Sequence, residues 1–143
     1  MHLDTEQALE QRLIARMRTY LEAGLVLDTE LLDALYDSEF ENVRVDQEGR
    51  TAVLTKRHFM DRFRMLKQSG QNIGDSVDDV TFPSAGLSGD LGSVVMRRVK
   101  DGEPVLYHFL WRLDASGAPT TLLREYTFER DLSRLLAMMA AAR

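Results

Sequence analysis

The sequence predicts an α+β fold: a cone-shaped α+β barrel in which three N-terminal helices pack on a strongly bent antiparallel sheet. Three observations predict it. Apolar residues up to Leu66 recur mostly at helical spacing, and those after Gly70 alternate as in strands. Two turn signals, Asp101-Gly102 and Asp114 to Gly117, separate the longest alternating runs. Helices grouped ahead of a meander give a layered α+β domain. With 143 residues the chain is expected to form one domain over 1–143.

Thr5 is the expected N-cap of the first helix, with Glu6 in its first turn. Ala8, Leu9, Leu13, Met17, Tyr20 and Leu21 make its apolar stripe, and Gly24 can close it. Asp28 can cap a second helix with Leu31, Leu32, Leu35 and Tyr36 buried. The run from Phe40 to Val45 reads as a short half-buried strand, followed by a turn at Asp46-Gln47-Glu48-Gly49. Thr55 can cap a third helix whose stripe is Phe59, Phe63 and Leu66, ending near Ser69-Gly70. Val77, Val80 and Phe82 then lead strand-like into a loop, Pro83 to Gly86. Leu91 to Val99, Val105 to Leu113 and Thr120 to Phe128 are the expected strands, and Arg130 to Ala142 a terminal helix or frayed tail.

A two-residue turn at Asp101-Gly102 pairs Met96 with Tyr107, Val94 with Phe109 and Gly92 with Trp111, the glycine leaving room for the indole. One aromatic face therefore runs across two strands. A four-residue loop at Asp114 to Gly117 adds Leu122, Arg124 and Tyr126 to it; a three-residue loop adds Leu123 and Glu125 instead. Most of this face is expected to be core. Part of it could line a ligand pocket, for which Phe63, Val94, Met96, Tyr107, Phe109, Trp111, Arg124 and Tyr126 are the candidates. An interface between two copies is the third reading, because Leu106 and Leu110 on the opposite face need cover.

Composition narrows the chemistry. No cysteine is present, so disulfides, thiolate metal sites and a cysteine nucleophile are excluded. Lys and Arg total 18 against 23 Asp and Glu, a net charge of -5 that disfavours nucleic acid. No apolar run reaches the length of a membrane span and the N-terminus does not read as a secretory signal, so a cytoplasmic address is expected. The sequence holds no phosphate-binding loop, dinucleotide fingerprint or nucleophile elbow. His2, His58 and His108 are far apart, with no pair at i, i+4. Neither a metal nor a cofactor is expected.

Three segments carry a family resemblance. Met17-Arg18-Thr19-Tyr20 resembles the first-helix segment that holds the oxyanion-hole tyrosine of ketosteroid isomerases. Arg44-Val45-Asp46-Gln47-Glu48-Gly49 is similar to the segment after their first strand, where an aspartate three residues before a glycine is the proton-shuttling base. Trp111 to Gly117 with Leu123-Arg124-Glu125-Tyr126 resembles the final hairpin of isomerases and cyclases. Together these resemble the nuclear-transport-factor-2-like superfamily, which includes ketosteroid isomerases, small polyketide cyclases, scytalone dehydratase and limonene epoxide hydrolase. The resemblance implies Asp46 and Tyr20 as catalytic residues on one apolar ligand. It also places Phe109 where the isomerases carry a protonated acid. The expected function is small-molecule binding with proton transfer next to a carbonyl of an apolar substrate. The alternative is a non-catalytic ligand-binding or dimerisation module. A homodimer through the sheet face opposite the helices is expected in either case.

Overall fold

The computed structural model describes residues 2–71 and 79–142. Helix α1 (His2–Leu25) and helix α2 (Thr29–Leu35) lead into strand β1 (Tyr36–Val45) and strand β2 (Thr51–Thr55). Helix α3 (Lys56–Gln68) is followed by β3 (Thr81–Ser88), β4 (Leu91–Lys100), β5 (Glu103–Leu113), β6 (Pro119–Phe128) and helix α4 (Ser133–Ala141). The six strands form one sheet in the order β2-β1-β6-β5-β4-β3. No helix among the described residues is long and apolar enough to cross a membrane.

The helical stripe of α1 is buried at Leu13, Met17, Tyr20 and Ala23 and packs on β3, β4 and β6. The helix begins upstream of Thr5, so Thr5 is not its cap. Its other end is closed at Leu27 and not at Gly24. Leu27 takes a left-handed φ of 55°, and the N–H groups of Leu27 and Asp28 donate to the carbonyls of Gly24 and Ala23. Asp28 caps α2 by accepting from the Leu31 N–H at 3.2 Å. Thr55 caps α3 in a reciprocal pair: the His58 N–H donates to its hydroxyl, and its own N–H donates to His58 Nδ1.

Three expectations are corrected here. Among the described residues the helices are four; two precede the sheet, one lies between β2 and β3, and one follows β6. The sheet is mixed, not antiparallel, because β1 pairs with β6 in parallel. No tight turn joins those two strands, so nothing local forces them to run opposite ways. Residues Pro83 to Gly86 belong to β3, an edge strand, where a proline costs no ladder hydrogen bond on its open side. Strand β2 is not among the expected strands, although Thr51, Val53 and Thr55 are β-branched, and Val77 lies outside the described residues.

The β4–β5 hairpin has the expected register, with Met96 opposite Tyr107, Val94 opposite Phe109 and Gly92 opposite Trp111. Asp101 and Gly102 take φ of 51° and 78°, the positive values a type I′ turn demands. The space above Gly92 is filled by Leu13 and Leu113, not by the indole; a Cβ there would lie 2.5 Å from Leu13 Cδ2. The β5–β6 pairing follows neither simple register throughout. Leu110 pairs with Arg124 but Trp111 pairs with Leu122, so Leu123 is an extra residue in a bulge. That single residue brings Leu122 below the bulge and Glu125 above it onto the same inner face.

Candidate active site

Five elements converge on one buried carboxyl. The stripe of α1 carries Tyr20 under the sheet, and β1 contributes Tyr36 and Asn42. Strand β5 contributes Tyr107 and Phe109, α3 contributes Phe63, and β6 places Glu125 directly opposite Phe109. Glu125 is 8% exposed and Asn42 fully buried. Buried polar groups must be satisfied, and these are. Asn42 Nδ2 donates to Glu125 Oε2 at 2.6 Å and to the Thr127 hydroxyl at 3.1 Å. Arg44 Nε donates to Asn42 Oδ1 at 2.9 Å, which fixes the amide so that its NH₂ faces Glu125. On the other side the Tyr20 hydroxyl donates to Glu125 Oε1 at 3.3 Å. It lies 2.7 Å from the Tyr36 hydroxyl, which then donates to Tyr20.

This relay favours the charged carboxylate. With the carboxylate charged, protons point from Tyr36 to Tyr20 to Glu125 and every donor has an acceptor. With a proton on Oε1, the carboxyl donates to Tyr20 and Tyr20 to Tyr36, and the Tyr36 hydroxyl hydrogen then has no acceptor among the described residues. Burial raises the Glu125 carboxyl to about 7; Arg44, the hydrogen bonds of Tyr20 and Asn42, and Lys100 pull it the other way. Burial holds the hydroxyls of Tyr20 and Tyr36 well above the ordinary tyrosine range, so both stay protonated. Burial also pushes the Tyr107 hydroxyl to about 12.

Glu125, Tyr107 and Phe63 separate two cavities and line both. The first, about 140 Å³, is bounded by Tyr20, Leu21, Leu32, Met96, Arg98 and Phe109. The second, about 180 Å³, is bounded by Arg44, Phe59, Arg62, Lys100, Thr127 and Glu129. Each is near the volume of a cavity that admits one benzene ring. The Tyr107 hydroxyl makes no hydrogen bond with the described residues, so it is a donor available to a ligand.

No family model matches the sequence, and no curated protein matches it. Solved structures do. A nuclear-transport-factor-2-like protein of unknown function from Silicibacter pomeroyi is 14% identical, over 82% of this chain and 92% of that one, with a TM-score of 0.61. One from Shewanella baltica is 12% identical, over 82% and 90%, with a TM-score of 0.58. The fold is nuclear-transport-factor-2-like. A de novo designed protein of the same fold covers 91% of this chain and 93% of its own, at 10% identity and a TM-score of 0.53. Likeness at these identities shows the fold and not an activity, since one fold hosts many functions.

Within this fold the site residues expected from the sequence divide. Tyr20, Phe63, Met96, Tyr107 and Phe109 line the first cavity. Asp46 does not face it. Its carboxylate accepts the N–H groups of Glu48, Arg50 and Leu132 and the Arg50 guanidinium, so it ties the turn after β1 to the start of α4. These bonds outweigh burial and hold its carboxyl below the ordinary aspartate range. An aspartate at a turn is drawn to nearby backbone donors; here two of them, the Arg50 guanidinium and the distant Leu132 N–H take its four lone pairs. Val94 and Trp111 are fully buried core residues that line neither cavity; the indole N–H donates to Met17 Sδ at 3.2 Å. The bulge sends Arg124 and Tyr126 to the outer face. Arg124 donates to the Glu39 carbonyl, and Tyr126 stacks on His108. His108 accepts or donates at the Ser93 hydroxyl, 2.7 Å away, on that same face.

Glu125, Asn42, Tyr36 and Arg44 were not singled out by sequence. Glu125 belonged to the shorter-loop register, and Asn42 and Arg44 alternated with Val43 and Val45 in a strand whose apolar side reads as the inner one. The signal was present in inverted form. In β1 the inward residues are Phe40, Asn42 and Arg44, two of them polar where packing alone would favour valine, and Arg44 lines the second cavity.

Proposed function

We propose that the chain binds a small apolar carbonyl compound between Tyr107 and Phe63 and that Glu125 exchanges a proton with the carbon next to the carbonyl. The observation that carries this is Glu125: a buried carboxyl raised to about 7, lining two cavities, with Tyr20 and Asn42 donating to its charged form. In its charged form Glu125 takes the proton; Tyr107, protonated and unengaged, donates to the carbonyl oxygen as negative charge grows there. The Tyr36–Tyr20 pair turns as the carboxyl fills. In this reading Tyr20 is a partner of the base and not the oxyanion donor expected from the resemblance, and Asp46 has no part in it. The same reading takes the sheet as strongly bent into a cone around these cavities; the register shifts in β1–β6, β3–β4 and β5–β6 support this, since bulged strands bend.

The test is solvent deuterium incorporation into phenylacetone, a one-ring ketone, followed by proton NMR. Wild type is expected to exchange the α protons faster than buffer, and Glu125→Gln to lose the acceleration. Equal rates for the two proteins reject proton transfer by Glu125.

A second reading, a dimerisation module, rests on a different observation. On the outer face Leu106 and Phe128 are cross-strand partners yet 47% and 50% exposed, beside Leu110 and Tyr126. We propose a homodimer through this face, compatible with either function. Sedimentation velocity is expected to show a dimer that Leu106→Glu dissociates; a wild-type monomer at micromolar concentration refutes it.

A further inference from the structure

The second cavity has a mouth whose charge contradicts that of the chain. The protein carries a net charge of -5, yet Arg44, Arg62 and Lys100 gather at this mouth against Glu129 alone at the rim. Arg44 is engaged, with Asn42 at 2.9 Å and Glu129 at 3.3 Å. Arg62 and Lys100 form no ion pair among the described residues, although Arg57 and Arg64 on the same helix both reach Asp61. The two unpaired cations therefore flank an opening whose floor is Phe59, Phe63 and Tyr107. Cations left without counter-ions around a low-dielectric recess focus positive potential into it.

We propose that the carbonyl compound is a monoanion: a single six-membered ring that bears a carboxylate besides the reactive carbonyl, the ring against Phe63 and Tyr107 and the carboxylate between Arg62 and Lys100. This rests on the small-molecule reading above and deepens it. The volume of about 180 Å³ sets the ring count. The charge balance sets the anion. With Arg44 and Glu129 cancelling, Arg62 and Lys100 accommodate one carboxylate with charge to spare for Glu125 in its ionised form, whereas a dianion would meet the Glu129 and Glu125 carboxylates at close range. A guanidinium and an ammonium are both suited to charge-assisted contacts with a carboxylate. The same mouth would exclude cationic rings.

The experiment is isothermal titration of the full chain with benzoate and with its neutral counterpart benzyl alcohol, at low and high salt. Benzoate is expected to bind roughly tenfold more tightly at low salt, the scale of one charge-assisted contact in a solvent-facing position. That margin is expected to shrink at high salt and to vanish in Arg62→Ala/Lys100→Ala. Both residues are exposed and unpaired, so the variant keeps the native contacts; its unfolding midpoint checks that it has folded. Equal affinities for the two compounds, or a margin that survives in the double variant, overturn the anion mouth and leave the apolar cavity standing. Binding of neither compound overturns both this inference and the small-molecule reading. Reversed preference, with benzyl alcohol the tighter, overturns the inference alone.

Discussion

Replacing Glu125 by Gln converts the central claim into a stability measurement that requires no substrate. The glutamine is nearly isosteric and cannot ionise. Its Oε1 can accept from Asn42 Nδ2, and its NH₂ can donate to the Tyr20 hydroxyl, which turns toward Tyr36 as it does when Glu125 is protonated. In wild type, burial lifts the carboxyl from an ordinary 4.5 to about 7 in the folded state. Between those values the folded protein binds more protons than the unfolded chain, so its stability falls as pH rises. At about 1.4 kcal/mol per pH unit the loss totals about 3 kcal/mol once pH exceeds the folded-state value. The contribution is complete below pH 4.5 and gone above about 7. Glu125→Gln lacks this slope. The two proteins are expected to have similar stability at and below pH 4.5, and the variant to be more stable by up to about 3 kcal/mol at pH 8. Urea unfolding followed through Trp111, the single tryptophan and fully buried, reads the difference across pH 5 to 9. Taking the difference between the proteins cancels the aspartates that titrate in both. A gap that does not change with pH, or a variant less stable at pH 8, refutes the account of Glu125 as a buried, proton-exchanging group.

Three further outcomes follow from the same contacts. Tyr20→Phe leaves the Tyr36 hydroxyl, 2% exposed, without its acceptor and removes a donor from Glu125; a loss of about 1–3 kcal/mol is expected in urea unfolding, with the Glu125 titration moved to higher pH. Gly92→Ala drives a methyl into Leu13, which is fully buried between α1 and the sheet, and should cost about 1–3 kcal/mol, while the same change at half-buried Gly86, where a Cβ meets nothing within 4 Å, costs less. Asp46→Ala takes the acceptor from the Leu132 N–H and leaves the Arg50 guanidinium only Asp131 and Glu48; faster proteolysis around residues 129–133 is expected, with ligand affinity unchanged. Because the folded state holds the Asp46 carboxyl low, its contribution is present above the ordinary aspartate range and lost as pH falls through it, so the variant and wild type should converge in acid.

The sequence by itself determined what local chemistry can determine. Helical spacing placed Leu13, Met17 and Tyr20 on one buried stripe, Thr55 and Asp28 were caps on sight, and the φ demands of Asp101-Gly102 set the β4–β5 register for ten residue pairs. Those are interactions within a few residues, or consequences of a tight turn. Tertiary structure decided the site. The bulge at Leu123 is stabilised by what packs on either side of it, Trp111 and Leu122 in the core and Glu125 against Asn42, and no local signal marks it. Since side chains alternate with period two, that one residue exchanged Arg124 and Tyr126 for Glu125 and Thr127 at the cavity. The parallel pairing of β1 with β6 joined Asn42 to Glu125 across 83 residues of chain, and only then did a polar inner strand face acquire a meaning. Asp46 shows the converse: its motif was legible, but backbone donors within four residues and the Leu132 N–H claimed the carboxylate first.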